Sequence, residues 1–538
     1  MLALLPLCLV PQAALQPELR PEELLTAGHV IGLDLSQDEA ELMLGDVLQQ
    51  QRSFRLMHGR HLANDVLPAL TFSPLQPGIA LRAASIDARP PAYAELERPD
   101  DLRELIYADL LTLSSLVRAR KVSCVELCEL SLTRLREIDP SLFCVVTLLE
   151  ERARAQAEAL DQELAEGKWR GPLHGIPWGA KDLLAVAGSP TTWGSAIFKD
   201  QVFDEDASVV QRLDAAGAVL TAKLSLGELA WGDVWFGGMT RSPWDRNVGS
   251  SGSSAGSAAA VVAGGVVFSI GSETLGSIVS PSARCGASSL RPTFGRVSRH
   301  GAMALSWSMD KLGVLARSSQ DAALVFDAIH GPDGRDPSVH DMPFQLTAPI
   351  DVTGWRVGYP EKAFERASEL EQAVLGTLDE LGVELVPFEA PRAVPLGGLL
   401  TILSAEAASA FDHLTRSGQD DEMVRQEERA WPNVFRAAQL IPAVEYIRAN
   451  RLRTELMHAF DKSMQDLDAV VHPSFADGIL SMTNLTGHPC FVAPCGFETN
   501  KGPTSISFTG QLFGETRLLA LAEAWQAATD HHERHPDL

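Results

Sequence analysis

Gly249-Ser-Ser-Gly-Ser-Ser-Ala-Gly-Ser257 opens the stretch that decides the fold, and AAAVVAGGVVFSIGSETLGSIVSPSARCGASSLRPTFG carries it on to Gly295. A Ser/Gly-rich loop leads into a small-residue helix predicted over Ser257–Gly264 and a short apolar run over Val266–Ile270. A second Gly/Ser turn, Gly271-Ser-Glu-Thr-Leu-Gly-Ser277, then takes the chain into Ile278 and Pro281. Glycine lets a backbone reach positive φ and approach a ligand closely, and successive N–H groups in such a turn can face an anion. That geometry suits a serine nucleophile whose oxyanion is held by the turn that carries it.

Upstream, Gly175-Ile-Pro-Trp-Gly-Ala-Lys-Asp182 places a lysine in an apolar context. This segment, the loop Ser251-Gly-Ser-Ser-Ala-Gly-Ser257 and the turn Gly271-Ser-Glu-Thr-Leu-Gly-Ser-Ile-Val-Ser-Pro281 together resemble three motifs of the amidase signature family, in that family's order and spacing. The family uses a Ser–cis-Ser–Lys triad. Carried over motif by motif, the resemblance implies Ser277 as nucleophile, Ser253 as the bridging serine and Lys181 as the base. It covers roughly Asp101 to Pro536 and implies an α/β fold with a large mixed sheet sandwiched between helices. Residues 101–538 would form the amidase domain, behind a candidate leader or signal segment over 1–16 and a helical, Pro-rich arm over 17–100.

Outward from the motifs, the pattern agrees with an α/β chain. Ser36-Gln-Asp-Glu39 and Ser123-Cys-Val-Glu126 read as capping boxes, the second opening a helix that should stop before Pro140. Helices are predicted over Asp100–Ala119, Leu148–Gly167, Ser208–Gly217, Ala367–Leu381 and Leu518–Ala528, with Leu396–Met464 mostly helical. Between them, Ala218–Ala222, Trp355–Tyr359, Val383–Phe388, Leu467–Val471, Gly487–Gly496 and Thr504–Gly510 read as strands. Strands alternating with helices argue for a sheet covered on both faces. No repeats or low-complexity tracts interrupt the pattern.

With 538 residues, 45% of them hydrophobic, the chain is long enough for a large core. Its net charge of −25, from 45 Lys+Arg against 70 Asp+Glu, argues against a nucleic-acid partner, whose phosphates that field would repel. Seven cysteines without C-x-x-C spacing read as buried free thiols. Met1–Val10 has the apolar core of a signal peptide, yet no Lys or Arg precedes Arg20, so cytoplasmic and exported locations both stay open. The longest apolar candidate for a membrane span, Ala255–Ile270, is broken by glycines and too short. No membrane partner is expected, and a homodimer is among the assembly states left open.

The chemistry implied by the resemblance sets a demand on Lys181: it must be neutral when the reaction begins. A free lysine titrates near ~10.4, and burial among Ile176, Pro177, Trp178 and Leu183 would lower it by disfavouring the charge. Asp182 would oppose that shift and is expected to face elsewhere. Backbone N–H groups of Thr274, Leu275, Gly276 and Ser277 are the oxyanion-hole candidates, and Ser254 and Trp231 are candidate substrate-binding residues. Trp235 and Phe236 are further candidates for an acyl pocket. Leu275 replaces a glycine usual in the family and Val279 an arginine, the latter suggesting a neutral or apolar acyl group. Gly252-Ser-Ser-Ala-Gly256 also fits a G-x-S-x-G elbow with Ser254 as nucleophile, but Trp244–Gly249 before it does not read as a strand. Ser308-Met-Asp-Lys311 matches S-x-x-K without its companion motifs, and His531, His532 and His535 read as a solvated tail, so neither a metal nor a cofactor is expected. The expected activity is hydrolysis of a small-molecule carboxylic amide, or a related aryl amide, carbamate or ester, through an acyl-enzyme. The A subunit of a tRNA-dependent amidotransferase and a catalytically silent scaffold stand as alternatives.

Overall fold

The computed structural model describes residues 19–60, 62–79, 81, 92–346, 350–392, 394–498 and 502–538. The candidate leader, Cys8 and Pro90–Pro91 lie outside them. Two compact units are present, one of residues 1–63 with 440–442 and one of residues 64–439 and 443–538. The first holds the helices Pro21–Val30 and Gln37–His58. Ser36 caps the second helix as its sequence predicts, with Glu39 accepting from the Ser36 amide at 2.8 Å. The Pro-rich residues 64–79, grouped with the arm from their sequence, fall in the second unit.

The second unit is built on one mixed sheet, of eleven strands among the described residues. In chain order they begin with β1 (Val145–Leu148), β2 (Pro177–Lys181) and β3 (Val219–Leu224). A small separate hairpin, β4 (Val234–Trp235) and β5 (Gly238–Met239), follows. The main sheet continues with β6 (Phe268–Glu273), β7 (Ser288–Arg291), β8 (Lys311–Ala316) and β9 (Arg356–Tyr359). It is completed by β10 (Glu384–Pro387), β11 (Ala469–Pro473), β12 (Cys490–Glu498) and β13 (Gly502–Gly510). The spatial order is β1-β3-β2-β6-β8-β7-β12-β13-β11-β9-β10. β2 runs parallel to both β3 and β6, and every residue of these three strands is buried. Burial on both faces is what a parallel block inside a covered sheet requires.

Helices cover this block through small residues. The helix Ala255–Val262 is entirely buried. At Gly256 a Cβ would sit 2.3 Å from the Cys144 carbonyl oxygen and 2.5 Å from the Ser225 nitrogen, so only glycine allows the helix this approach. Ala258 and Val262 pack with Ile278, Cys285 and Leu315 on one side, and Ala259, Ala260 and Val261 with Leu135, Ile138 and Leu224 on the other.

Several element boundaries differ from the sequence reading. The helix opened by Ser123 runs from Cys124 to Leu142, through Pro140. Pro140 lies in the last turn, where it forfeits the one bond an N–H would give the Arg136 carbonyl, and the helix ends two residues later. The predicted helix over Asp100–Ala119 is a 3₁₀ turn (Leu102–Leu105) followed by a separate helix, Leu110–Arg118. The long helical stretch from Leu396 is divided into five α-helices and one 3₁₀ helix, ending with Ala443–Ser463. The apolar run expected to end at Ile270 extends as β6 to Glu273, and the helix Val279–Cys285, which the sequence reading did not foresee, starts directly after Ser277. Six cysteines, all those among the described residues, are buried and free. Among the described residues no helix is long and apolar enough to cross a membrane.

Candidate active site

The carboxyl ends of neighbouring parallel strands are where an open α/β sheet collects ligand-binding loops. Here β2 ends on Lys181 and β6 on Glu273, side by side, with Ala180 in register with Ile270. The Lys181 side chain is fully buried, and its Nζ lies 2.9 Å from Ser253 Oγ, 2.9 Å from Ser272 Oγ and 3.1 Å from Ser254 Oγ. Gly271 allows this cluster to form, because a Cβ there would lie 2.7 Å from Ser254 Oγ. Burial pulls the Lys181 amine from 10.5 down to about 7, against the opposing pull of the Asp310 and Glu273 charges. Asp182 is turned away, as its neighbour's chemistry demanded. Its Oδ1 is 2.6 Å from Lys223 Nζ and its Oδ2 accepts from the Thr192 amide at 2.9 Å.

The Gly252–Ser253 peptide is cis. Gly252 packs its α-carbon against the Gly232 carbonyl oxygen, only 1.7 Å from where a Cβ would stand. On its far side the loop is tied to the second turn, since the Ser254 amide donates to the Ser277 carbonyl at 3.0 Å. Lys181 and Ser253, nominated from separate motifs, are thus in direct contact, and the backbone of Ser277, from the third motif, is bonded to the residue that follows Ser253. Ser277 keeps 9% exposure, while Ser253 and Ser254 have 1% and 0%. Of the three serines, Ser277 offers the most surface to an incoming molecule.

Ser254, a candidate substrate-binding residue from the sequence, is fully buried. Besides its contact with Lys181, its hydroxyl donates to the Ser272 carbonyl at 3.1 Å and accepts from the Ser272 amide at 3.2 Å. A hydroxyl so engaged braces the lysine. Trp231 lies next to Ala230 in the chain, with its ring against Trp431 and the Arg425 guanidinium 4.4 Å above it. Trp235 is buried, and Phe236 packs edge-on against it.

After Ser272 the chain bends through Thr274, Leu275 and Gly276, with Gly276 at φ 87°. Among the described residues no protein acceptor takes the backbone N–H groups of residues 274–277. The next two amides are taken: Ile278 and Val279 both donate to Glu273 Oε2, at 2.8 and 2.9 Å. Glu273 is itself fully buried and held by Arg291 at 2.6 Å and Asn484 Nδ2 at 2.7 Å. Burial would raise its carboxyl, but the Arg291 charge and these hydrogen bonds outweigh that and hold it at about 2. This acid, which anchors the turn, was inside the quoted motif but was given no role. Ser272, Asp310, Arg291 and Asn484 were likewise missed, the last lying 211 residues away in sequence. Asp310 accepts from Thr274 Oγ1 at 2.6 Å and from the Leu305 and Ser306 amides.

Val279 is fully buried against Ala283, Cys490 and Val492. Its side chain belongs to the core, so the inference from the missing arginine to the acyl group loses its basis. Ser308 accepts from Arg453 at 3.0 Å and the Lys311 amine donates to the Met309 carbonyl, so the S-x-x-K match is incidental. The C-terminal histidines are not a free tail: His531 and His532 are half-buried, and the His535 ring stacks on Tyr107 at 4.0 Å. Among the described residues no three His, Cys, Asp or Glu side chains converge to hold a metal ion.

A family profile described as Amidase matches residues 126–519. The chain belongs to the amidase family. The A subunit of the glutamyl-tRNA(Gln) amidotransferase of Chloroflexus aggregans (strain MD-66 / DSM 9485) is 33% identical over 486 residues, covering 81% of this amidase and 99% of that protein. Among solved structures, a peptide amidase in complex with the competitive inhibitor chymostatin superposes with a TM-score of 0.72 at 28% identity, covering 81% of this chain and 100% of the other. The native peptide amidase of Stenotrophomonas maltophilia gives 0.70 at 28% identity, over 79% and 97% of the two chains. The amidase is accordingly an enzyme acting on amide C–N bonds, on the mixed α/β sheet its sequence implied.

Proposed function

We propose that this amidase hydrolyses a carboxylic amide through an acyl-enzyme on Ser277, with Ser253 passing the proton to Lys181. The observation that carries the reading is a buried amine held at about 7 within 2.9 Å of the Ser253 hydroxyl. A serine hydroxyl needs a base before it attacks a carbonyl. Neutral Lys181 has two N–H donors and one lone pair among its hydroxyl neighbours. The Ser254 proton is engaged on the Ser272 carbonyl, so Ser254 can only accept from the amine. Ser253 can then donate to the lone pair and take the Ser277 proton as Ser277 attacks. The free amides of residues 274–277 supply donors for the oxyanion, each worth about 3 kcal/mol in the transition state. The proton on Lys181 returns through Ser253 to the leaving nitrogen, and water then releases the acid.

A second reading draws on the identity to amidotransferase A subunits over nearly their whole length: ammonia release from glutamine within a complex. One experiment separates the two. The purified chain, without other subunits, is assayed on simple amides and on glutamine, and Ser277→Ala is run beside it. Amide hydrolysis by the lone chain, abolished in Ser277→Ala, supports the first reading. Activity on glutamine alone, seen only with added subunits, supports the second, and unchanged hydrolysis by Ser277→Ala removes the acyl-enzyme.

A further inference from the structure

The free amides of residues 274–277 lie between two anchors. On one side Thr274 is held by Asp310, which also takes the amides of Leu305 and Ser306 and so closes the loop 305–310 on itself. On the other, Ile278 and Val279 are held by Glu273, which Asn484 grips from the helix Ile479–Thr486.

Arg453 is bonded to both supports. It stands on the helix Ala443–Ser463 and is 1% exposed. Its Nη1 and Nη2 donate to the Ser308 hydroxyl and carbonyl, at 3.0 and 2.9 Å, two residues before Asp310. Its Nε donates to the Leu485 carbonyl at 2.6 Å, one residue after Asn484. That carbonyl falls in the last turn of its helix, and the residue four places on, Pro489, has no N–H to give it. Glu406 holds the same loop with the opposite charge, accepting from Ser306 Oγ at 2.6 Å and from the Ser308 amide at 3.0 Å. Phe72 covers one face of the guanidinium, with its ring centre 3.5 Å away, and meets Phe294 edge-on at 5.0 Å. Phe72 precedes the segment 126–519 matched by the family profile.

We infer that Arg453 is a positioning residue for the reaction, tying the loop that holds Thr274 to the helix that holds Glu273. It thereby fixes the span over which the amides of residues 274–277 face an oxyanion. The inference rests on the active-site reading given above, because it has meaning only if those amides serve the transition state. Arginine suits the task and lysine does not: a planar fork serves three acceptors in fixed directions, whereas an ammonium is a point charge on a flexible stem. Misplacing a catalytic group by about 1 Å can lower a rate by about 10²-fold.

Steady-state kinetics of the full-length chain test it, on the simple amide that wild type hydrolyses fastest, with active sites counted by fluorophosphonate titration. Arg453→Lys should lower kcat per titrated site by about 10- to 100-fold and leave KM within about two-fold, the pattern of an interaction made only in the transition state. Phe72→Leu leaves the inner hydrogen bonds in place and should lower kcat about three-fold, while Phe72→Tyr keeps the ring and should match wild type. If Arg453→Lys does not fold, the two Phe72 variants decide. Wild-type kcat per site in the variants overturns the inference. So does a loss confined to KM or to the number of titrated sites, which is what a purely structural role would give. A wild-type chain that neither hydrolyses amides nor takes the label overturns the active-site reading itself, and this inference with it.

Discussion

Replacing Lys181 by Met separates the catalytic demand on this residue from its burden on the fold. Holding the amine at about 7 instead of 10.5 corresponds to about 5 kcal/mol against the charged form, at ~1.4 kcal/mol per pH unit. Below pH 7 the native state contains a charged lysine in a buried site, and the whole of that penalty is present. Between 7 and 10.5 the unfolded chain binds the proton and the native chain does not, so this group makes wild-type stability rise with pH. Methionine removes the penalty but leaves Ser253, Ser254 and Ser272 without their shared hydrogen-bond partner, at about 1 kcal/mol each. The variant should therefore be more stable than wild type by about 2 kcal/mol at pH 6 and less stable by about 3 kcal/mol above pH 10.5, crossing near pH ~8. Urea unfolding of both proteins across that range measures the difference, in which every other titrating group cancels. Amide hydrolysis by the variant should fall by about 10²–10⁴, the usual contribution of a positioned base. A stability difference that does not move with pH would show that Lys181 is not held neutral, and the proton relay would go with it.

The same amine sets the pH–rate profile: kcat/KM should fall about ten-fold per pH unit below 7 and level off above it, since only neutral Lys181 accepts a proton. A flat profile from pH 5 to 9 refutes this. Glu273→Gln leaves the buried Arg291 guanidinium without its charge partner and loosens the turn at Ile278 and Val279. Urea unfolding should register a loss of about 3–5 kcal/mol, and a loss below about 1 kcal/mol would mean that the network does not anchor the turn. Gly252→Ala places a methyl carbon 1.7 Å from the Gly232 carbonyl oxygen. The loop must move, so hydrolysis should disappear while far-UV circular dichroism stays that of wild type; a variant with normal turnover would contradict the packing.

What the sequence made legible was the set of positions where residue type is forced locally. Glycines at 252, 256, 271 and 276 are required by close approach or positive φ, and the serines and lysine between them stand at fixed spacing. Of the buried parallel strands, β3 and β6 were partly readable as the short apolar runs Ala218–Ala222 and Val266–Ile270, whereas β2 was legible only as the lysine motif. The sequence alone assigns no helix after Ser277, although Pro281 is compatible with one. This proline occupies the first turn of Val279–Cys285, where its missing N–H has no intrahelical partner to lose. The partners of Glu273 could not be read locally: Arg291 sits on β7, and Asn484 lies in the helix Ile479–Thr486. One signal was present, an acid within a stretch otherwise free of charge, which if buried must find compensation.

A neutral lysine in this position depends on what happens to the acids around it. Asp182 is adjacent in the chain, and Glu273 and Asp310 both act on the Lys181 amine to raise it. Each is engaged elsewhere. Asp182 pairs with Lys223, which is as deeply buried as Lys181 itself. Glu273 is matched by Arg291 and two backbone amides. Asp310 accepts three hydrogen bonds, which favour its charged form against the burial that raises its carboxyl. The hydroxyls of Ser253, Ser254 and Ser272 and, at 3.4 Å, the Ser272 carbonyl, none of which favours a charged amine as a carboxylate would, are left as its direct contacts. Desolvation therefore prevails over the surrounding negative charge, and the base is set together with three ion-pair and hydrogen-bond arrangements around it. Disturbing any of them should shift the pH dependence of hydrolysis before it abolishes the activity.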